Sequence, residues 1–273
     1  MKLSTIILAK TASADLYQMT LNAIDSLLQS ESEVVHEIII VESNPDYLKE
    51  GFAYDARIKV LLPNEKFNFH KFLNYGIQAA TGDYIALCNN DLIFHPHWFS
   101  AILTVSEQNT QILSFSPSEI IEGGKAGFEI GYKVMTHIKG WCLVVKKELV
   151  PLIGPLDEQF DFYFADNDYA LTLIQFNVPH ALVYASKVEH LAKRSTKVKT
   201  GNTDYLAHYS IPKYLYNCDY TYVLEDELSL NGFLKYQSKW GSPNWIYKKK
   251  KVALFLMKYK LGIINRFFLR ITI

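Results

Sequence analysis

The sequence has few cysteines, no excess of charge of either sign and no long apolar run. Its three cysteines, Cys88, Cys142 and Cys218, lack metal-ligand spacing, so neither a disulfide framework nor a zinc site is expected, and a reducing cytosolic compartment is favoured. The 28 basic residues are balanced by 28 acidic ones, which removes any global argument for nucleic-acid binding. The sequence contains no run of about 20 apolar residues, so no membrane-spanning helix is expected.

The size and composition suit one large globular domain, or one domain with an extension. The chain has 273 residues, of which 49% are hydrophobic, and is long enough to bury a sizeable core. Its N-terminal stretch MKLSTIILAK contains a short apolar run that Ser4 and Thr5 interrupt. A cleaved signal peptide is therefore not expected.

Short β-branched runs alternate with helical patterns in the first half of the chain. The patterns predict strands over 4–9, 36–42, 58–62 and 84–88, and a helix over 70–80. This alternation predicts an α/β fold with a mostly parallel central sheet flanked by helices. In the second half, strands are predicted over 127–135 and 140–147, and a helix over about 166–176.

Two of the predicted strands end in polar clusters, VESN after EIII and NND after YIALC. Ligands bind at the carboxyl ends of strands in such sheets, although either cluster could simply cap its strand in a turn. Asp91 suits the anchor of a metal–diphosphate, because Mg²⁺ is commonly held by one or two carboxylates together with phosphates and water. Mn²⁺ accepts the same oxygens and an imidazole. Asn89 and Asn90 could bond ribose or sugar hydroxyls.

Further candidate catalytic and ligand-binding residues lie in the second half of the chain. Asp166 and Asp168 lie in the first turn of a predicted helix, where capping would account for one of them more readily than for both. His190 follows the predicted strand ALVYASKVE and could be a metal ligand or a structural residue. Lys193 and Arg194 could clamp a leaving phosphate or belong to a solvated loop.

The order of these segments resembles the family-2 glycosyltransferases, which are inverting nucleotide-sugar transferases with the GT-A fold. The resemblance extends over roughly residues 3–241 and is carried by the segments STIILA, EIIIVES, FNFHKFLNYGIQAATGDYIALCNNDLIFHPHWF, GWCLVVKKELVPLIGPLDEQFDFYFADNDYAL, VEHLAKRS and YQSKWG. It implies a GT-A catalytic domain with a Rossmann-like sheet over residues 1–215. Residues 216–273 would form a helical C-terminal extension.

The resemblance also implies roles for individual residues. Asp166 would be the catalytic base, and Asp91 and His190 would hold Mn²⁺ or Mg²⁺. The residues expected to bind the donor are Ala9, Glu42, Asn74, Asn89, Asn90, Gly140, Trp141 and Lys193.

Three positions depart from the family pattern. Asn89 replaces the first aspartate of Asp-x-Asp, Ala165 replaces a glutamate, and Glu42 replaces an aspartate, which leaves the base preference open. The family's Gln-x-x-Arg-Trp segment does not follow the base, and this disfavours a processive polysaccharide synthase.

The implied activity is inverting transfer of a sugar from a nucleoside-diphosphate sugar, most commonly a UDP-sugar, to a hydroxyl of a glycan or lipid-linked acceptor. The expected setting is bacterial surface polysaccharide synthesis. A sugar nucleotidyltransferase would carry a glycine-rich phosphate loop after the first strand, but LAKTASAD has no glycine. A non-catalytic nucleotide-sugar or carbohydrate-binding relative is a further alternative, which the presence of Asp91, Asp166 and His190 disfavours.

The C-terminal segment from Asn244 onward reads NWIYKKKKVALFLMKYKLGIINRFFLRITI and contains no acidic residue. Basic residues interleaved with large apolar ones are typical of a helix that lies in a membrane interface. The segment therefore predicts peripheral contact with the inner face of the cytoplasmic membrane. The alternative is a helix that packs its apolar side on the catalytic domain or on a second subunit.

Overall fold

A sheet of nine strands forms the centre of the computed structural model, which describes residues 1–120, 125–191, 204–217 and 221–271. The strands are β1 (Lys2–Ala9), β2 (Val35–Glu42), β3 (Lys59–Leu61), β4 (Tyr84–Asn89), β5 (Leu92–Phe94), β6 (Ser114–Ser118), β7 (Phe128–Ile130), β8 (Cys142–Lys146) and β9 (His180–His190). The helices are α1 (Ala14–Ser30), α2 (Phe69–Ala79), α3 (Trp98–Gln108), α4 (Leu149–Ile153), α5 (Ala165–Gln175), α6 (Glu227–Trp240), α7 (Pro243–Lys258) and α8 (Asn265–Phe268). Short 3-10 turns span Asp204–His208, Lys213–Asn217, Thr221–Glu225 and Gly262–Ile264.

The strands lie side by side in the order β3-β2-β1-β4-β8-β6-β9-β5, and β7 pairs with β9. Strands β3, β2, β1 and β4 are mutually parallel, and β6 is parallel to β9. Strand β8 is antiparallel to both of its neighbours, β4 and β6. The predicted α/β class is confirmed, with parallel pairing concentrated in the first half of the chain.

The parallel strands are apolar along their centres because helices cover both faces of this part of the sheet. One core cluster includes Ile7 and Ile40 with Leu27 of α1, and the other includes Ile6 and Ile39 with Phe72 of α2. Side-chain oxygens of Ser13 and Asn68 accept hydrogen bonds from the first turns of α1 and α2, which fixes where these helices begin.

Strand β6 was not predicted, because its sequence SFSPS is polar and contains a proline. It is nevertheless fully buried between β8 and β9. Its polar side chains have internal partners: Ser114 Oγ is 2.7 Å from Tyr169 Oη and 2.8 Å from His180 Nδ1. Strand β7 is shorter than predicted and spans only Phe128–Ile130.

The predicted helical C-terminal region is present, and it packs against α5. Trp240, Ala253 and Leu269 are buried in the same cluster as Leu173 and Ile174 of α5. The structure thus contains one of the two arrangements considered for the tail. None of the helices in the described ranges combines the length and apolar character needed to cross a membrane. The domain boundary near residue 216 stays a prediction.

Candidate functional site

Asp91 lies in the turn between β4 and β5, at the carboxyl end of β4. Strand β5 is antiparallel to β9, with Leu92 opposite His190. This register brings His190 Nε2 to 3.3 Å from Asp91 Oδ1. The backbone N–H of Leu191 also donates to the carbonyl oxygen of Asp91 at 2.9 Å. Two residues about a hundred positions apart in the sequence are thereby held as a pair.

The His190 ring stacks on Trp141, with 5.2 Å between the ring centroids and an angle of 17° between the planes. The backbone of Trp141 is in turn fixed to β4, because its carbonyl oxygen accepts a hydrogen bond of 2.9 Å from the N–H of Asn89. Trp141 Nε1 is buried and has no hydrogen-bond partner among the described residues. The imidazole is therefore held between an aromatic face and a carboxylate.

Asp166 reaches the same edge of the sheet from the first turn of α5. The residue just before this helix, Phe164, lies in the left-handed region with a φ of 64°. A Cβ built on Gly140 would lie 3.0 Å from Asp166 Cβ and 3.2 Å from its Oδ2, so the glycine allows the carboxyl group to approach the chain. Gly140 directly precedes Trp141. Asp166, Gly140, Trp141, His190 and Asp91 therefore form one continuous set of contacts.

The protonation of Asp166 is set by two opposing effects. Burial raises the pKa of its carboxyl group, and a hydrogen bond of 2.9 Å from the backbone N–H of Asn167 to Oδ1 lowers it in part. The net pKa lies above the ordinary value for an aspartate. Such a carboxylate binds a proton more readily than an exposed one, which suits a general base.

A cleft of about 640 Å³ opens beside Asp91 and is also lined by Ala9, Asn89 and Asn90. Its volume suits a small-molecule ligand. Asn90 is held in place by a hydrogen bond of 3.0 Å from its Nδ2 to Thr20 Oγ1. Four residues that the resemblance named thus line one cleft.

Sequence reasoning missed the rest of the cleft wall. The lining also includes exposed cations from two segments, Lys10 and Lys66, an exposed carboxylate, Glu65, and three aromatic residues, Phe67, Phe69 and Phe162. The polar and aromatic segment NEKFNF follows β3 at the same sheet edge as NND, and this position was the available signal.

Glu42 has internal partners for both carboxylate oxygens. Its Oε1 accepts hydrogen bonds from the N–H groups of Thr11 (3.0 Å) and Asn44 (2.8 Å). Its Oε2 accepts from Thr11 Oγ1 (2.6 Å) and Tyr54 Oη (3.3 Å). The side chain is fully buried. Glu42 thereby fixes the loops after β1 and β2, and its predicted contact with the donor stays a prediction.

Asn74 is likewise occupied inside the fold. Its amide bonds both backbone groups of Leu156, at 2.9 Å and 3.0 Å, and its Nδ2 also donates to Glu158. These bonds tie α2 to the segment before α5, and Asn74 is not among the residues that line the cleft. Lys193, the remaining donor-binding prediction, lies outside the described residues.

Asp168, the second aspartate of α5, contacts α6, whereas Asp166 lies beside Gly140. Asp168 Oδ1 accepts a hydrogen bond of 2.7 Å from Trp240 Nε1 and lies 2.7 Å from Lys239 Nζ. Lys239 Nζ also lies 2.7 Å from Asp157 Oδ2. Asp168 therefore anchors α6, which explains both the second acidic residue and the KWG segment.

The donor set at Asp91 fits a divalent cation that is shared with a ligand. Among the described residues, no group of three or more His, Cys, Asp or Glu side chains could hold a metal by itself. Asp91 and His190 provide one carboxylate and one imidazole at 3.3 Å from each other. This pair suits Mn²⁺, with the remaining ligands coming from phosphate oxygens and water.

Comparison with known proteins identifies a family and a similar fold. The model of Glycosyl transferase family 2 matches residues 4–188. A protein of Haemophilus influenzae (strain ATCC 51907 / DSM 11121 / KW20 / Rd), described as an uncharacterized glycosyltransferase, is 30% identical over 110 residues, which are 38% of this chain and 34% of that protein.

The fold is similar to that of GalNAc-T7 in its crystal structure with UDP, GalNAc and Mn²⁺. The TM-score is 0.62 and the sequence identity 13%, and the match covers 97% of this chain and 54% of the other. The chain therefore spans about a third of the curated relative and about half of the solved structure. The likeness shows a GT-A fold, and the family match over most of the sequence shows that this chain belongs to glycosyl transferase family 2.

Proposed function

We propose that this member of the family is an inverting, metal-dependent glycosyltransferase that moves a hexose-type sugar from a nucleoside-diphosphate sugar, with a UDP-sugar favoured, to a hydroxyl of a glycan or lipid-linked acceptor. The observation that supports it most is the series of contacts that joins Asp166, through Gly140 and Trp141, to the Asp91–His190 pair, of which Asp91 lines the cleft. The proposed setting is bacterial surface polysaccharide synthesis (capsule, lipopolysaccharide or exopolysaccharide), on the cytoplasmic side of the membrane.

In this proposal the cleft binds the nucleoside diphosphate. Lys10 and Lys66 provide positive charge toward the phosphates, and the aromatic residues offer flat apolar surface to the base or sugar. Asp91 and His190 would hold a divalent cation at this edge of the sheet. When bound, that cation stabilises the negative charge on the departing nucleoside diphosphate.

Asp166 is the proposed general base. Its carboxylate accepts the proton of the acceptor hydroxyl while the hydroxyl oxygen attacks the anomeric carbon. The bond from that carbon to the diphosphate oxygen breaks in the same step, and attack from the opposite face inverts the configuration. The raised pKa of Asp166 increases its strength as a base, and Gly140 leaves the space in which the carboxyl group lies.

The test is turnover of nucleotide sugars by purified protein with Mn²⁺ or Mg²⁺, repeated with EDTA. We expect Asp166→Asn to lower turnover by about 10²–10⁴-fold, the usual contribution of a general base. Asp25→Asn, an exposed aspartate of α1, is the matched control and should retain normal turnover. Binding of the nucleoside diphosphate, followed by thermal shift, should be unchanged in both variants.

The pH profile provides an independent readout of the same role. Because the ionised form is the active one, turnover should rise as the pH increases through the pKa of Asp166. Since burial raises that pKa, the acid limb should lie above about 3.9, the ordinary value for aspartate. Near-normal turnover of Asp166→Asn with an unaltered profile would remove Asp166 from this role, and nucleotide binding without any turnover would favour a non-catalytic module.

A further inference from the structure

The C-terminal helices present an outer face that is both basic and apolar. Along α7 the exposed residues recur about one helical turn apart, with Lys251, Phe255 and Lys258 among them. Beyond α7 the apolar side chains of Ile263 and Phe267 are more exposed still, at 71% and 77%, compared with 57% for Phe255. We call the surface formed by these five residues and their exposed neighbours from 247 to 270 the tail face.

The tail face is not the side by which these helices dock on the catalytic part. Their inner side is formed by Ala253 and Leu269, which are buried against α5. Lys249 is also buried, and its Nζ donates to the carbonyl oxygens of Leu269 and Ile271 at 3.0 Å and 2.9 Å. Lys250 Nζ on the same helix donates to the carbonyl oxygen of Tyr132 at 2.9 Å. Contacts on their inner side thus hold the helices in place, and the tail face on their other side stays exposed.

The charge of the tail face selects among possible partners. Residues 244–271 contain no aspartate or glutamate. The exposed cations are Lys248, Lys251, Lys258, Lys260, Arg266 and Arg270. A symmetric contact with a second copy would bring these like charges together, which is unfavourable. Nucleic acid would satisfy the cations, but it would leave Ile263 and Phe267 without an apolar partner.

An anionic lipid surface satisfies both requirements. Aromatic and aliphatic side chains enter the boundary between headgroups and acyl chains, while lysines and arginines bind the acidic headgroups. Lys251 lies over the ring of Tyr247 and Lys258 over the ring of Tyr259, so cation and aromatic ring are already side by side. We propose that the tail face is a docking surface for a membrane that contains anionic lipids.

The same docking would bring the catalytic base near the membrane. Asn265 Nδ2 donates to the carbonyl oxygen of Ile174, and Gln175 Nε2 donates to that of Arg266, both at 3.3 Å, so the tail is fastened to the last turn of α5. Asp166 lies in the first turn of the same helix, about 14 Å from that last turn along the axis at 1.5 Å per residue, and α7 and α8 lie between the last turn and the tail face. This geometry suits an acceptor hydroxyl on a lipid-linked glycan, a conclusion that rests on the proposed function.

The test is flotation of the full chain with vesicles of phosphatidylcholine alone and of phosphatidylcholine mixed with phosphatidylglycerol. We expect binding to the mixed vesicles that weakens as salt is added. The triple variant Phe255→Ser, Ile263→Ser, Phe267→Ser should bind at least about tenfold less, since it loses three apolar insertions. The matched control is Val35→Ser, Leu48→Ser, Met135→Ser, which removes similarly exposed apolar residues elsewhere and should bind normally.

A second variant pair separates charge from apolar burial. Lys251→Glu with Lys258→Glu should abolish the preference for anionic vesicles, whereas Lys49→Glu, at an exposed lysine far from the tail in the sequence, should not. The proposal is overturned if the wild-type chain fails to float, or if the triple variant floats equally well. It is also overturned if the tail face proves to be a contact between two copies of the chain. In that case the wild-type chain would sediment as a dimer that does not bind vesicles, and the triple variant would sediment as a monomer. Flotation needs no sugar donor, so a chain that fails to float leaves the glycosyl-transfer proposal intact. Conversely, a wild-type chain without transferase activity leaves the membrane-docking proposal intact.

Discussion

At the scale of single residues, the tightest packing in the site is between Gly140 and Asp166. Gly140→Ala would add a Cβ 3.0 Å from Asp166 Cβ, so the carboxyl group has to move by a few tenths of an ångström. We expect turnover to fall roughly tenfold, because small misplacements of a reacting group are costly. Binding of the nucleoside diphosphate should be unaffected. Steady-state kinetics and thermal shift check this, and unchanged turnover would show that the position of Asp166 is not critical.

Some residue positions could be predicted from the sequence and others could not. Asp91 is accessible to prediction because it follows an apolar strand, and parallel strands end at one edge of the sheet. Glu42 also follows such a strand, yet its carboxylate is occupied by Thr11, Asn44 and Tyr54. Whether a polar residue at a strand end faces a ligand or its own loops depends on the path of those loops, which no local pattern encodes.

At the scale of elements, the junction of α5 and α6 depends on one cation that two carboxylates share. Lys239 lies 2.7 Å from both Asp157 and Asp168, and Asp168 is almost fully buried. Lys239→Met leaves these carboxylates without their cation, and we expect a loss of about 2 kcal/mol in the free energy of unfolding, reduced from the fully buried case because Lys239 is partly exposed.

The matched control for this junction is Lys235→Met on the same helix. Lys235 is equally exposed but pairs with a single partly exposed carboxylate, Asp161, at 3.3 Å. Its loss should cost less than about 1 kcal/mol. Urea midpoints of the two variants provide the comparison. Equal losses would mean that the burial of Asp168 does not matter.

Prediction of elements succeeded where the hydrophobic pattern agreed with burial. Strands β1, β2 and β4 each contain a run of apolar residues, and the predicted strands agree with them to within about two residues, the usual uncertainty of element ends. Strand β6 reads SFSPS and is buried because Tyr169 and His180 provide hydrogen-bond partners from distant segments. A strand whose burial is made possible by tertiary partners has no signal in its own sequence.

At the scale of the whole molecule, Glu37 links stability to pH. Burial alone would raise the pKa of its carboxyl group, but hydrogen bonds from Ser4, Thr81 and Lys2 lower it to about 2. A lowered pKa stabilises the folded state above the unfolded value, near 4.3, and this contribution is lost as the pH falls toward 2. Glu37→Gln should therefore cost about 1 kcal/mol at neutral pH after allowance for solvent screening, and almost nothing near pH 2.

Urea denaturation across a pH series measures this effect. Glu33→Gln, at an exposed glutamate two residues before β2, is the control and should give no difference at any pH. A constant difference between Glu37→Gln and the wild-type chain from neutral to acidic pH would contradict the linkage, because it would show that the charge of Glu37 is not what stabilises the fold.

The sequence left open whether the tail packs on the domain or contacts a membrane. The structure shows packing through one side of α7 and α8 and leaves the tail face exposed on the other. The two interpretations therefore concern different sides of the same helices. Composition alone could not separate them, because apolar residues all around a helix give no indication of which ones the rest of the chain covers.

The antiparallel insertion of β8 has a consequence for synthesis on the ribosome. Strand β4 is complete at Asn89, but its outer hydrogen-bonding edge is covered only when Cys142–Lys146 emerges and pairs with it. Until then the nascent chain carries an open apolar edge of the kind that recruits other strands. Production of this protein should consequently benefit from holdase chaperones, and fragments truncated upstream of Cys142 should accumulate as aggregates.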